Sequence, residues 1–162
     1  MNDEGFSHAG IKASKPAQEG TPPPARILVV DDDTSIRQMS AAMLIAFGYR
    51  VDEAADGAAA WQALKLNSDK YDLLITDNHM PAVSGIELVK KLRSVRIALP
   101  VILASGTIPE KLNRHSSLQL AAVLPKPFTA EELLGTVKNV LTATGPSPNT
   151  LSAPPSRQQD ST

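Results

Sequence analysis

The sequence contains no cysteine among its 162 residues. This absence excludes disulfide bonds, thiolate metal ligands and a cysteine nucleophile at the same time. A Gly-x-x-x-x-Gly-Lys loop is also absent, so the sequence gives no support to a nucleotide cradle of that kind. The remaining candidates for chemistry are carboxylate, hydroxyl and amine side chains.

The sequence also lacks long hydrophobic runs and an excess of one charge. The formal net charge is −1 at pH 7, and 26–144 holds equal numbers of acidic and basic residues without a basic block. This balance argues against direct binding of nucleic acid. No apolar run approaches the roughly 20 residues that cross a bilayer, and the start lacks the apolar region of a secretory signal. We therefore expect a soluble, cytoplasmic protein without membrane insertion.

The two ends of the chain differ in composition from its middle. Residues 1–25 include the run Thr21–Pro24, and residues 145–162 are rich in proline and serine. Neither end shows an apolar period that could offset the entropy cost of ordering. The composition predicts disordered tails at 1–25 and 145–162 and one domain at 26–144.

The middle of the chain alternates short apolar runs with amphipathic stretches, which is typical of repeated βα units. The first predicted helix, 34–47, carries an apolar face of Ile36, Met39, Met43, Leu44 and Phe47. Capping boxes at Thr107–Glu110 and Thr129–Glu132 predict two later helix starts. Five strands are predicted, at about 26–30, 50–54, 72–76, 101–104 and 121–124, and they alternate with five helices. The natural packing is an α/β, flavodoxin-like, doubly wound parallel sheet of strand order 2-1-3-4-5, since every crossover can then be right-handed.

Acidic side chains follow two of the predicted strands. Asp31, Asp32 and Asp33 close the first strand, and Asp77 closes the third. The first and third strands are neighbours in this order, so their carboxylates face one crevice at the carboxyl ends of the strands. A hard cation such as Mg²⁺ relieves the repulsion between them. Taken alone, the acidic run also suits helix capping and Asp77 suits a turn, although three acids in a row exceed what capping needs.

Two further side chains are expected at the rim of this crevice. Ser105 ends the fourth strand, and Lys126 follows the fifth. A carboxylate such as Asp77 can attack phosphorus and form an acyl phosphate, whose oxygens Lys126 would neutralise and Ser105 would meet as a hydrogen-bond donor. Pro127 permits a cis peptide bond after Lys126. Each residue also has an ordinary interpretation, as a strand-end serine or a surface lysine.

Taken together, these segments resemble the receiver domain of two-component response regulators, the CheY-like family. The resemblance covers about 26–142, and its motifs occur in the family's order and spacing. The segments that carry it are Ile27–Asp32, Asp77-x-x-Met80-Pro81-x-x-x-Gly85, Glu87–Arg93, Pro100–Gly106 and Lys126-Pro127-Phe128.

The resemblance implies a role for each matching residue. Asp77 would be the phosphoacceptor, and Ser105 and Lys126 would hold the phosphoryl oxygens. Asp31, Asp32, Asp77 and the backbone carbonyl of His79 would bind Mg²⁺. The phosphoryl group would come from a sensor histidine kinase or a histidine phosphotransfer protein, and the signal would pass to a downstream protein target. The protein would then be a phosphoprotein of a phosphorelay. It would catalyse only its own phosphorylation and dephosphorylation and would not otherwise be an enzyme.

The sequence departs from the family's usual pattern on the fifth strand. Val123 stands where an aromatic residue is common, so the coupling of Ser105 to the surface of the fourth and fifth helices would be built differently. The side chains of His79 and Thr107 stand where family members tune dephosphorylation. We expect both to affect the lifetime of the phosphoryl group.

The stretch after Thr144 is too short and too polar to fold as an output module, which favours a single-domain regulator, monomeric or weakly dimeric on phosphorylation. Two alternatives stay open from the sequence. One is a receiver-like interaction module that needs no phosphate. The other is a phosphatase of the haloacid-dehalogenase type with Asp31 as nucleophile and Asp33 as general acid, although the further acids that such an enzyme needs are missing before Lys126.

Overall fold

The computed structural model describes residues 24–107 and 118–145. In these two stretches the chain alternates strands with helices, and one short 3-10 helix, Ser68–Lys70, precedes the third strand. The elements are β1 (Arg26–Val30), α1 (Thr34–Ala46), β2 (Arg50–Ala54), α2 (Gly57–Asn67), β3 (Leu73–Asp77), α3 (Gly85–Ser94), β4 (Val101–Ser105), β5 (Ala122–Pro125) and α4 (Ala130–Thr144).

The five strands form one parallel sheet of order β2-β1-β3-β4-β5. Both the predicted strand order and the flavodoxin-like fold are therefore confirmed. The central strands β3 and β4 are buried along their whole length, whereas the edge strands β2 and β5 are partly exposed. This difference follows from helices covering both faces of the sheet, which makes central strands continuous apolar runs.

The two faces of the sheet carry separate apolar cores. Along β1, Leu28 and Val30 belong to the core under α2 and α3, while Ile27 and Val29 belong to the core under α1 and α4. Successive side chains of a strand point to opposite faces, so one short run supplies both cores. Each fully buried leucine or isoleucine contributes about 1.5–3 kcal/mol relative to an exposed one.

Each described α-helix begins at a residue whose side chain accepts a hydrogen bond from a backbone N–H of the first turn. Asp33 caps α1 and Asp56 caps α2. Ser84 and Thr129 form capping boxes with glutamates three residues later, at the starts of α3 and α4. The box at Thr129 was predicted, and each such cap stabilises its helix by about 1 kcal/mol.

The predicted apolar face of α1 is partly wrong. The buried residues of this helix are Ser40, Ala41 and Leu44, whereas Met39 is 43% exposed and Phe47 68% exposed. The helix therefore buries two small side chains, at 40 and 41, together with Leu44. Hydrophobic period alone selected the large residues and missed the small ones.

Some predictions fall on other parts of the chain. The helix expected after Thr107 and its capping box with Glu110 lie outside the described residues, which stop at 107 and resume at 118. The predicted tails also lie outside them, apart from Pro24, Ala25 and Gly145. Their disorder and the domain limits 26–144 stay predictions.

Arg93 on α3 binds the segment that begins at Leu118. Its guanidinium donates to the carbonyl oxygens of Leu118 at 3.0 Å, Ile97 at 2.7 Å and Gln119 at 3.1 Å. Burial lowers the pKa of Arg93. These bonds connect the end of α3 to the segment that leads into β5, and so to Lys126.

Candidate functional site

The site lies at the carboxyl edge of the sheet, where three acids converge. Val30 pairs with Thr76 in the register of β1 and β3, so Asp31 and Asp77 leave neighbouring strands at the same level. One carboxylate oxygen from each of Asp31, Asp32 and Asp77 lies within 4.8 Å of the others. Asp31 and Asp77 are each 5% exposed, whereas Asp32 is exposed. The sequence prediction that these residues come together is therefore met by the geometry.

Lys126 reaches into this cluster from the end of β5. Its Nζ lies 2.7 Å from Asp31 Oδ2 and 3.0 Å from Asp77 Oδ1. Lys126 is half-buried, and both carboxylates that it contacts are buried. Burial of the ammonium lowers the pKa of Lys126, but the hydrogen bonds and charges of Asp31 and Asp77 outweigh it and raise this pKa above its usual value. The Lys126–Pro127 peptide bond is cis, as the sequence suggested. The ammonium thus stays charged between the two acids.

The three consecutive acids divide between capping and the crevice. Asp33 Oδ1 accepts from the N–H groups of Ser35 at 2.8 Å and Ile36 at 3.1 Å, which makes it the cap of α1. Asp31 Oδ1 accepts from the N–H of Asp33 at 2.9 Å, which directs Asp31 away from that cap. The capping interpretation therefore holds for Asp33, whereas Asp31 and Asp32 lie in the acidic cluster, whose role as a cation site stays a prediction. Asp33 is engaged as a cap, which counts against a role as general acid.

The sequence prediction missed Arg37, on the first turns of α1. Its Nη1 donates to the carbonyl oxygen of Asp31 at 2.7 Å, and its Nε donates to Glu53 Oε2 on β2 at 3.2 Å. Only 13% of the side chain is exposed. The spacing could have suggested this contact, because a residue one turn into the helix after the acidic run can reach back to the end of β1.

Ser105 is fully buried at the end of β4, but its hydroxyl is turned to the following loop. Its Oγ donates to the carbonyl oxygen of Thr107 at 2.6 Å and accepts from the N–H of Thr107 at 3.3 Å. The position of Ser105 at this edge of the sheet agrees with the sequence prediction. A contact of its hydroxyl with the acids is not made in this conformation.

The two residues directly after Asp77 differ in burial. Asn78 is buried, its N–H donates to the carbonyl oxygen of Ala104 at 2.9 Å, and its Oδ1 has no hydrogen-bond partner among the described residues. His79 is exposed. The predicted metal contact through the His79 carbonyl stays a prediction. The burial of Asn78 was not anticipated, since its neighbours suggested an open turn.

The donor set suits a hard divalent cation. The three grouped side chains offer only carboxylate oxygens, which Mg²⁺ prefers over nitrogen or sulfur ligands. Lys126 contacts one oxygen each of Asp31 and Asp77, and each carboxylate carries a second oxygen that is not bonded to this ammonium. The residues present therefore fit a magnesium ion beside Lys126.

Known proteins match this sequence and this fold. A family model described as the response regulator receiver domain matches residues 27–138. The chain belongs to this family. The receiver domain accounts for all five strands and for most of α4. Membership leaves the phosphatase alternative without support.

Similar proteins include regulators from several bacteria. Response regulator MprA of Mycolicibacterium vanbaalenii is 37% identical over 127 residues, which cover 76% of this chain and 53% of that protein. The chain therefore spans about half the length of the MprA relatives it matches. The structure of the chemotaxis response regulator CheY4 of Vibrio cholerae is 38% identical, with a TM-score of 0.64, over 72% of this chain and 98% of that one. The Francisella response regulator 1452 receiver domain is 30% identical, with a TM-score of 0.67, over 74% and 98%.

Two further observations concern the residue at position 123 and the apolarity of the helices. Val123, which replaces the usual aromatic residue, is half-buried on the edge strand β5 and pairs with Leu103. No helix in the described stretches is both long and apolar enough to pass through a bilayer.

Proposed function

We propose that this receiver domain accepts a phosphoryl group on Asp77. The observation that supports this most directly is the position of Lys126, whose Nζ lies 3.0 Å from Asp77 Oδ1 and 2.7 Å from Asp31 Oδ2. A cation held beside a nearly buried carboxylate is placed to neutralise phosphoryl oxygens when they arrive. The nucleophile, its neighbouring acids and the ammonium thus form one small polar site.

The donor is a phosphohistidine on a sensor histidine kinase or on a histidine phosphotransfer protein. A carboxylate oxygen of Asp77 attacks phosphorus, a P–O bond forms, and the P–N bond to the imidazole breaks. The imidazole nitrogen leaves with the electron pair of that bond and takes up a proton. Lys126 moves from Asp77 Oδ1 to a phosphoryl oxygen, and Ser105 donates to another once it releases the Thr107 carbonyl.

Asp31, Asp32, Asp77 and the carbonyl of His79 would hold Mg²⁺ in this reaction. The bound ion would supply positive charge against the phosphoryl oxygens and reduce repulsion from the acids. Hydrolysis by water then returns Asp77 to its carboxylate form and releases inorganic phosphate. The domain catalyses only this gain and loss of phosphate, so we do not propose any other enzymatic activity.

Phosphorylation would shift the domain between two conformers and change its contacts with a downstream protein target. Balanced charge supports protein contacts over direct binding to nucleic acid. The expectations of a single-domain regulator, of a monomer or weak phosphorylation-dependent dimer, and of a cytoplasmic location stay predictions.

Intact-mass measurement tests the proposal. The parent protein and the Asp77→Ala variant are incubated with acetyl phosphate in the presence and absence of Mg²⁺. We expect one phosphoryl adduct on the parent, only with Mg²⁺, and none on the variant. An adduct on both proteins would move the acceptor to another residue. No adduct on either, together with no Mg²⁺ binding, would favour a phosphate-independent interaction module.

A further inference from the structure

Arg37 makes a set of contacts that no role assigned so far explains. Its side chain, which is 13% exposed, reaches from α1 to the end of β2. It donates to the carbonyl oxygen of Asp31 at 2.7 Å and to Glu53 Oε2 at 3.2 Å, and its Nη2 lies 3.5 Å from Thr34 Oγ1. A charged side chain on a surface helix could turn to solvent. Here it points to the backbone of the acidic run instead.

The carbonyl that Arg37 holds joins the two acids of the proposed metal site. The atoms from the Cα of Asp31 to the Cα of Asp32 lie in one plane, because the peptide bond is planar. Fixing the oxygen of this peptide group therefore restricts the directions in which both side chains leave the backbone. Asp32 is exposed and no hydrogen bond of its carboxylate is seen among the described residues, so its backbone is the main constraint on its position.

The preceding peptide group, between Val30 and Asp31, is tied to β2. The N–H of Asp31 donates to the carbonyl oxygen of Ala54 at 3.3 Å. Glu53, the residue before Ala54, accepts from the guanidinium of Arg37. The turn at Asp31 is thus connected to the end of β2 twice, directly through the backbone and indirectly through Arg37 and Glu53.

We propose that Arg37 is a positioning residue for the metal site, held by Glu53, and that it sets the affinity of the acidic pair for a divalent cation. This inference rests on the proposed function, since it assumes that Asp31 and Asp32 bind the cation. Arg37 touches neither the cation nor the phosphoryl group. It acts through the peptide group between the two acids.

Charge and geometry make opposite predictions for the loss of Arg37. A positive charge near a cation site weakens binding, so removing it should tighten binding if charge alone matters. Loss of the constraint on the Asp31–Asp32 peptide group should weaken binding, because the two ligands must then be ordered by the ion itself. The direction of the change therefore distinguishes the two roles.

The test uses Mn²⁺ as the probe, with free ion measured by electron paramagnetic resonance on the full chain. We expect Arg37→Gln and Arg37→Lys to weaken Mn²⁺ binding about tenfold, the usual order for residues that orient metal ligands. Lysine keeps the charge but cannot reach both the carbonyl and Glu53 with one planar group, so it should not rescue. The matched control is Arg50→Gln, an exposed arginine at the opposite end of β2, for which affinity should stay unchanged or rise slightly.

Glu53→Gln is a second variant that leaves Arg37 in place. Loss of the Glu53 charge and release of Arg37 both favour weaker Mn²⁺ binding, by a smaller factor than in the Arg37 variants. An unchanged affinity in Glu53→Gln would therefore count against the positioning role even if the Arg37 variants do not fold. In phosphorylation by acetyl phosphate, the Arg37 variants should need more Mg²⁺ for the half-maximal rate, with the maximal rate largely restored at saturation. A general loss of structure would lower the fraction of reactive protein instead and leave the half-saturating Mg²⁺ concentration unchanged.

Two outcomes separate this inference from the proposed function. If the parent binds Mn²⁺ but Arg37→Gln binds it as tightly as Arg50→Gln or more tightly, the positioning role is overturned and the metal site stands. If the parent neither binds Mn²⁺ nor forms the phosphoryl adduct, the proposed function fails and this inference fails with it.

Discussion

The hydroxyl of Ser105 donates its only proton to the carbonyl oxygen of Thr107, over 2.6 Å. In this conformation Ser105 is therefore joined to the loop after β4 and not to Asp77. A phosphoryl group on Asp77 has to compete with the Thr107 carbonyl for that proton, since a hydroxyl has one donor. If Asp77 is the phosphoacceptor as proposed, phosphorylation and release of the loop at Thr107 would be linked through this one side chain.

Replacing Ser105 should slow phosphorylation while leaving the fold intact. Ser105→Ala removes the donor that meets the phosphoryl group, and we expect the initial rate with acetyl phosphate to fall about tenfold or more. The Thr107 carbonyl lies on an exposed residue and can bond to water, so the free energy of unfolding should change by less than about 1 kcal/mol. Time-resolved intact mass and urea unfolding measure the two effects.

Thr107→Ala is the control for this variant, because Thr107 contacts Ser105 through its backbone only. Its rate of phosphorylation should stay within about twofold of the parent, even if the lifetime of the phosphoryl group changes. An unchanged rate in Ser105→Ala would contradict the proposed role of its hydroxyl.

Removing the ammonium of Lys126 should destabilise the protein in a way that Mg²⁺ partly reverses. Lys126→Met leaves Asp31 and Asp77 buried side by side without their cation, which should cost about 1–3 kcal/mol in the free energy of unfolding. Mg²⁺ supplies positive charge at the same acids, so it should raise the melting temperature of the variant more than that of the parent. Thermal unfolding with and without Mg²⁺ measures the difference.

Lys138→Met is the matched control, since Lys138 is an exposed lysine on α4. It should respond to Mg²⁺ as the parent does. Equal Mg²⁺ shifts in Lys126→Met and the parent would argue that the ion does not bind at these acids.

The same substitution should have opposite effects at two glycines. A Cβ on Gly85 would collide with the carbonyl oxygen of Asp77 and stand 2.9 Å from Leu103 Cδ1. Gly85→Ala should therefore lower the free energy of unfolding by about 1–3 kcal/mol and disturb the backbone of the proposed phosphoacceptor. Gly135→Ala, in the exposed middle of α4 with open space around it, should raise the free energy of unfolding by up to about 1 kcal/mol. Urea unfolding of both variants checks the signs, and a neutral Gly85→Ala would show that the β3–α3 turn can shift.

Ionisation of Tyr71 should weaken the fold at high pH. Burial, then the hydrogen bond and charge of Asp52, raise the pKa of Tyr71 to about 12. An unfolded tyrosine titrates near pH 10, so the stability that the protonated phenol contributes is fully present below about pH 10 and is lost as pH rises through about 12. Ultraviolet absorbance of tyrosinate should show this late titration, and Tyr71→Phe should abolish it and flatten the fall in stability over the same range. Titration of Tyr71 at its ordinary pKa would contradict the burial of its hydroxyl and its hydrogen bond to Asp52.

The sequence was a good guide to the strands and to the convergence of the acids. The run 73–75 within β3 is apolar because both sheet faces are covered, and that burial is visible as a composition pattern. Once the strand order is fixed, the positions of Asp31 and Asp77 follow from parallel register, so this part of the site was also predictable. Each strand boundary fell within one residue of its prediction.

Other features depend on side-chain directions that no local pattern encodes. Whether Ser105 meets the acids or the Thr107 carbonyl is a choice between rotamers of one residue. The contact of Arg37 with Asp31 depends on how α1 packs against the sheet, and two of the three buried residues on that helix, Ser40 and Ala41, are small. The spacing of hydrophobic residues indicates which helix face is apolar, but it does not report hydrogen bonds between a side chain and the backbone.

The ion pair between Asp31 and Lys126 connects residues 95 positions apart in the chain. One partner follows the first strand and the other follows the last, so the site has a far higher contact order than any helix around it. Such long-range contacts carry the entropy cost of closing the intervening chain. The polar cluster therefore requires both β1 and β5 to be in place, and under the proposed function a partly folded chain would have no phosphoacceptor site to offer a kinase.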